Sequence, residues 1–200
     1  ICFNSDTLGG DFSLARALSP GEFLPLYNFA VVIDDFLMKI THVIRGEDHI
    51  SNTPKQILIS RALDFPLPKY AHLPLILGPD KSKLSKRHGA VSVSDYRDMG
   101  YLPEALVNFT AMLGWNPGTD KEIFSLEELA GEFDMAKVQK GGAVFNIDKL
   151  VWLIGHYLRR LEPAELARRA VPYFVKQGLI NPGGYDFEYI KKVIALEQPR

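Results

Sequence analysis

With 200 residues, 46% hydrophobic and 24% charged, the chain can bury the core of one large or two small domains and is neither disordered nor fibrous. It contains no run of about 18 apolar residues, which excludes an ordinary membrane-spanning helix. The single cysteine, Cys2, excludes an intrachain disulfide and a cysteine-based zinc cluster, and fits a reducing compartment. The chain starts at Ile1 without a targeting pattern and reads as a piece cut from a longer protein. A net charge of −1 excludes a general polyanion binder, but local charge is uneven. Residues 80–88 carry +3, residues 156–176 carry +3 and residues 120–134 carry −5, as expected of a chain that meets RNA on one face and water on another.

Taken in chain order, residues 27–34 and 39–44 read as strands. Thr53-Pro54-Lys55-Gln56 opens a helix, with Thr53 as cap, Pro54 early in the first turn and Gln56 completing a capping box; it runs to about Leu63. Residues 72–77 read as another short strand, giving a strand–helix–strand unit of the kind found in parallel α/β sheets. After residue 92 only helices are expected. These are 103–113, stopped by Gly114, then a short acidic helix with a Ser125–Glu128 capping box, and a longer one opened by Asn146 or Asp148. Leu150, Leu153, Ile154, Tyr157, Leu158 and Leu161 form the buried side of that third helix. Two more follow, 163–177, interrupted or kinked at Pro172, and 187–197. Trp115 and Trp152 are expected in the core.

Two stretches carry chemistry. Lys83-Leu84-Ser85-Lys86-Arg87 follows Pro79-Asp80-Lys81-Ser82 and sets two lysines three apart around a serine, so that two ammonium groups can meet one polyphosphate. Nucleotidyl transfer asks the protein mainly to place positive charge where the leaving pyrophosphate gains negative charge. On spacing alone the same residues fit a solvated basic loop. The second stretch, residues 41–49, carries Arg45-Gly46-Glu47-Asp48-His49 from a strand end into the capped helix, where α/β sheets place their ligands. Arg45 is suited to clamp a carboxylate in bidentate fashion, or to pair with Glu47, Asp48 or Asp35. The acids of Asp34-Asp35 and Glu47-Asp48 fit either Mg²⁺ ligands or loop caps and ion-pair partners. His42, His49, His72 and His88 have no zinc-site spacing. Tyr27 stands near the ligand-bearing strand and offers both a face and a hydroxyl.

In order and spacing, residues 27–35, 41–49, 51–56 and 83–87, followed by Gly100-Tyr101-Leu102-Pro103-Glu104-Ala105-Leu106 and Leu113-Gly114-Trp115, resemble the bacterial-type glutamyl-tRNA synthetases, a class I family. The resemblance is clear over residues 9–161 and loose over 162–200. It implies an α/β part followed by an all-α part. Residues 1–92 would be the C-terminal half of a Rossmann-like catalytic domain, 93–160 a helical tRNA stem-contact domain, and 161–200 the start of an α-helical anticodon-binding domain. It further implies Lys83 and Lys86 as the catalytic lysines of the signature loop. Lys86, Lys83, Ser85, Asp48 and His49 would lie at the ATP, and Arg45 and Tyr27 at the glutamate. In the family some members place Trp where His49 stands, and Leu84 and Arg87 depart from the commonest wording of the loop.

The histidine-rich signature of the family has no match here, so the chain alone is expected to be inactive. The complete enzyme would take L-glutamate, ATP with Mg²⁺ and tRNA(Glu) as a cytoplasmic monomer, with no zinc in this segment and no membrane. A glutaminyl-tRNA synthetase is disfavoured because its anticodon part is built of β-barrels, whereas residues 146–197 read as helix. A glutamyl-queuosine-type paralogue would lack the long helical extension. From another class, a non-catalytic RNA-binding module would use the same lysines only to hold phosphates.

Overall fold

In the computed structural model, which describes Phe3, residues 10–85, Arg87 and residues 92–199, the contacts divide the chain into units 1–75 and 76–200. The division falls ahead of the 92/93 boundary that the resemblance implies, so the basic loop belongs to the second unit. An antiparallel hairpin opens the first unit: β1 (Ala15–Ser19) pairs with β2 (Glu22–Pro25), turned at Pro20-Gly21 with Gly21 at φ +86°.

Residues 27–34, expected as a strand, instead form α1 (Tyr27–Leu37). The run Ala30-Val31-Val32-Ile33 has strand-forming side chains, but a short apolar run does not distinguish a buried helix from a strand. Packing against the next helix decides for helix, with Val32 its buried residue. The chain leaves α1 through Lys39 at φ +57°, so the strand expected from residue 39 begins only at β3 (His42–Gly46). A 3₁₀ turn (Glu47–His49) leads into α2 (Thr53–Ala62), and β4 (Lys69–Leu73) returns parallel to β3, in register from His42↔Lys69 to Gly46↔Leu73. The parallel strand–helix–strand unit is therefore present. Its cap is not the expected one: Asn52 takes the N-cap position without a side-chain cap bond, and Thr53 and Gln56 turn their side chains elsewhere.

The strand expected over 72–77 is split at Pro74, which has no N–H to give a ladder. Its second part, β5 (Ile76–Leu77), lies in the other unit and pairs in parallel with β6 (Ala143–Val144). β6 overturns the expectation of helices alone after residue 92. Two residues are too short to leave an alternating pattern.

The remaining elements of the second unit are helical. α3 (Val93–Asp98), not foreseen, starts at a capping box of Ser92 and Asp95. α4 (Pro103–Met112) and α5 (Leu126–Glu132) follow, the latter with the expected Ser125/Glu128 box complete in both directions. α6 (Ile147–Arg160) is capped by Asn146, whose side chain accepts from Lys149 N. α7 (Pro163–Lys176) runs through Pro172 without a break and packs on α8 (Phe187–Glu197). Among the described residues no helix is long and apolar enough to cross a membrane.

The core of this unit gathers Tyr96, Leu102, Ala105, Phe109, Leu150 and Leu153, with Trp115, Phe124 and Leu129 in a second cluster. Leu150 and Leu153 are the buried centre of the α6 stripe, each adding about 1.5–3 kcal/mol by burial. Trp115 is buried as expected, but Trp152 is 46% exposed, stacked under the Lys149 ammonium, because it falls just off that stripe. Asn108, on α4, is fully buried and donates to Glu122 O at 3.0 Å. Its Oδ1 accepts from Phe124 N and from the Tyr157 hydroxyl, both at 2.8 Å. One amide thus fastens α4 to the 122–124 segment and to α6. Replacing Asn108 by Ala strands a buried N–H and a buried carbonyl, so the expected loss is about 2–4 kcal/mol in urea unfolding. Asn116→Ala, which loses only the exposed turn bond from Gly118 N at 2.7 Å, should cost no more than about 1 kcal/mol.

Candidate active site at the end of the parallel strand pair

β3 ends at Arg45-Gly46, where the chain turns into α2, and the carboxyl ends of parallel strands are where such sheets open a crevice. Arg45 lies beside His72 of β4 in the ladder. Its Nη2 donates to Thr53 Oγ1 at 2.9 Å and to Gln56 Oε1 at 2.8 Å, which occupies both N–H bonds of that nitrogen. The guanidinium lies 5.7 Å from the Tyr70 ring centre, and its Nε is buried with no partner among the described residues. No carboxylate among the described residues forms an ion pair with Arg45, so the pairing with Glu47, Asp48 or Asp35 left open by the sequence is not what holds it. Its partners are neutral.

Glu47 turns instead to the backbone, accepting from Leu75 N at 3.1 Å. Asp48 lies in the 3₁₀ turn with Oδ1 so near Gly46 that an added Cβ there would meet it at 2.5 Å. Burial raises the Asp35 carboxyl, against the pull of Arg45, with Asp34 adding to the rise. Burial also lowers His72, helped by the positive charge of Arg45 and by His49, so this imidazole is held neutral. His72 Nε2 lies 3.0 Å from Thr53 Oγ1, the same hydroxyl that receives Arg45.

A ring of neutral polar groups continues from there. Gln56 Nε2 donates to Asn28 Oδ1 at 3.0 Å, and Asn28 Nδ2 reaches Asn52 Oδ1 at 3.5 Å. The Asn52 amide and the Tyr27 hydroxyl both lie 3.3 Å from His49 Nδ1. Both are donors, which makes Nδ1 the acceptor and puts the imidazole proton on Nε2. Tyr27 is half exposed, its ring 5.8 Å from that of His49. Arg45, Tyr27 and His49 are thus brought together, although Tyr27 stands on a helix and not on a strand. Asn28, Asn52, Thr53, Gln56 and His72 were missed as site residues. Thr53 and Gln56 carried a competing signal, a helix-start pattern, and nothing local marks Asn28 or His72.

In the second unit residues 78–85 of the basic stretch form a turn, with Arg87 packed on it. Gly78 N donates to Ser82 O at 2.8 Å and Lys81, at φ +60°, donates back to Gly78 O at 2.9 Å. Lys83 then bridges antiparallel to Leu77, and Leu84 N donates to Ile76 O at 2.9 Å. The Asp80 carboxylate accepts from Ser82 N at 2.9 Å and from Ser82 Oγ at 2.7 Å. Arg87 closes over it, 2.6 Å from Ser82 Oγ and 3.3 Å from Asp80 Oδ2. Lys83 and Ser85 lie on the exposed side of this turn, while Lys86 and His88 lie outside the described residues. Among the described residues no group of three His, Cys, Asp or Glu side chains is placed to hold a metal ion.

Polar side chains gathered at the carboxyl ends of parallel strands stand where open α/β sheets place their ligands. The description "tRNA synthetases class I (E and Q), catalytic domain" matches residues 15–152, and the chain belongs to that family. It is 57% identical over 196 residues to the glutamate–tRNA ligase of Aquifex aeolicus and 49% identical over 196 residues to that of Carboxydothermus hydrogenoformans. Each match covers 97% of this chain and 40% of the relative, so the chain spans about two fifths of their length. Among solved structures, the glutamate-tRNA synthetase of Elizabethkingia anophelis matches with a TM-score of 0.75 at 37% identity, over 88% of this chain and 39% of that one. The glutamate tRNA ligase of Elizabethkingia meningosepticum, solved in complex with its amino acid, matches with a TM-score of 0.73 at 37% identity, over 88% and 38%.

The depressed His72 sets a pH dependence. The unfolded chain protonates at the ordinary histidine pKa while the folded one resists, so the unfolded state binds more protons as pH falls below that value and stability declines. Urea midpoints measured between about pH 7.5 and 5.5 should fall with acidification, and His72→Gln should flatten that slope.

Proposed function

We propose that this chain is part of a glutamate–tRNA ligase, in which Arg45 and Tyr27 line the glutamate site. Lys83, Lys86 and Ser85, with Asp48 and His49, serve ATP, which enters as its Mg²⁺ complex. The observation that carries this reading is the Arg45 guanidinium. It stands at the carboxyl end of a parallel strand, hydrogen-bonded only to neutral acceptors and in no ion pair among the described residues, with its Nε buried without a partner there. Such a group calls for an anionic ligand, and an unpaired buried donor otherwise costs about 1–3 kcal/mol. The names of the relatives favour glutamate over glutamine. So do α6, α7 and α8, which fill residues 147–197 where a glutaminyl enzyme would build β-barrels.

In this reading the glutamate α-carboxylate attacks the α-phosphorus of ATP, the new P–O bond forms as the bond to pyrophosphate breaks, and glutamyl-adenylate results. A terminal ribose hydroxyl of tRNA(Glu) then attacks the acyl carbon and AMP leaves. The protein contributes position and charge, with no covalent enzyme intermediate. Residues 1–92 serve as the later part of the catalytic domain, 93–160 contact the tRNA stem, and 161–200 begin the anticodon-binding part.

Two substitutions in a ligase of full family length test this. Arg45→Lys should raise the KM for glutamate by about 10- to 100-fold, the equivalent of one or two charge-assisted hydrogen bonds, and leave the KM for ATP nearly unchanged. Equal effects on both substrates would make Arg45 a structural residue. Lys86→Ala should slow glutamate-dependent ATP–pyrophosphate exchange by on the order of 10²-fold or more, while tRNA affinity at one fixed salt concentration changes far less. Weakened tRNA binding with exchange intact would favour the non-catalytic RNA-binding module.

A further inference from the structure

We infer that Gln56 is a positioning residue for Arg45, holding the guanidinium with a neutral acceptor so that its charge remains available to the substrate carboxylate. The inference rests on the reading of Arg45 as the glutamate-binding arginine. Gln56 is 2% exposed and both ends of its amide are engaged: Oε1 accepts from Arg45 Nη2 at 2.8 Å and Nε2 donates to Asn28 Oδ1 at 3.0 Å. Only one orientation of the amide satisfies both bonds, because Arg45 can only donate and so requires the carbonyl end. Asn28, facing the amide end from the first turn of α1, thereby locks Gln56 in the state that receives Arg45.

The choice of a neutral side chain matters. A glutamate at this position would keep the size and the acceptor, and would form a buried ion pair with Arg45. That pair would satisfy the guanidinium electrostatically and set a fixed carboxylate against the incoming one. Gln56 supplies the hydrogen bond without the competing charge. Because Gln56 and Thr53 take both N–H bonds of Nη2 and Nε is buried, a substrate carboxylate meets Nη1 unless it displaces one of them. The arginine is therefore aimed by Gln56 as well as held.

The test uses Gln56→Glu, Gln56→Met and Arg45→Gln in a ligase of full family length, read by ATP–pyrophosphate exchange and by thermal unfolding. Gln56→Glu should raise the KM for glutamate by about tenfold or more while the KM for ATP stays within about twofold, whatever the change in Tm, since the bond to Asn28 is lost as the ion pair forms. Gln56→Met keeps the volume but loses the acceptor, and should raise the KM for glutamate by a smaller factor, about threefold or more. A merely structural Gln56 would lower Tm without separating the two KM values, and that result overturns the inference. So does an unchanged KM for glutamate in Gln56→Glu when Arg45→Gln raises it. If Arg45→Gln itself leaves the KM for glutamate unchanged, the underlying assignment of Arg45 fails instead. Should Gln56→Glu not fold, the KM separation in Gln56→Met decides alone.

Discussion

A half-buried guanidinium at the end of β3 is the group around which the polar residues of the first unit are arranged. Its charge cannot be discarded, since arginine does not deprotonate in proteins, so it must be met by hydrogen bonds or by an anion. Within the described residues it meets Thr53, Gln56 and the face of Tyr70, all uncharged. That one requirement explains why the first turn of α2 forgoes a capping box and why Thr53 and Gln56 are buried polar residues, and it adds to the burial that lowers the neighbouring His72. A conventional cap would have stabilised α2 by about 1 kcal/mol. Those side chains serve Arg45 instead.

The basic turn in the second unit shows a different balance. Arg87 and Asp80 form an exposed pair of the kind that adds little to stability. Their effect is on shape: with Ser82 they close the turn, while the Leu77–Lys83 bridge lays Lys83 along β5. In the proposed role of receiving a polyphosphate, a loop shaped beforehand gains, because ordering it during binding would subtract from affinity. The helices that follow are held by ordinary means, a leucine-centred core and the buried Asn108 amide. Arg169 of α7 pairs with Glu104 of α4, and the Tyr173 hydroxyl donates to Arg97 O behind α3. Gly100 suits its φ of +86°, with the Tyr173 ring in ordinary contact 3.7 Å from where a Cβ would stand.

Several features are determined locally and so were legible in the sequence. The start of α5 follows from Ser125 and Glu128 alone, since the two bonds of a capping box join residues three apart. α4, α6 and α8 follow from apolar spacing, and the stripe of α6 names its own buried leucines. The parallel strand–helix–strand unit and the importance of Arg45 at its edge follow from the order of elements and from the resemblance in residues 41–56. The same residues Tyr27-Asn28 and Thr53–Gln56 could not disclose their roles. Their apolar or capping patterns were consistent with structures that the chain does not adopt.

Tertiary structure decided what depends on a distant partner. Tyr27–Leu37 is a helix because α2 packs against it, not because of its β-branched side chains. Ala143–Val144 is a strand only because Ile76–Leu77 lies alongside, a pairing across more than sixty residues that no local period records. Trp152 is exposed because the angle of α6 carries its neighbour Leu153 into the core in its place. At the site, the identity of Arg45 as a special residue was visible in sequence, but the neutrality of its surroundings was not. That property comes from four elements, α1, β3, α2 and β4, bringing Asn28, Arg45, Gln56 and His72 within hydrogen-bonding reach of one connected set. Charge and size are written into each residue singly; which groups meet each charge is a property of the packed whole.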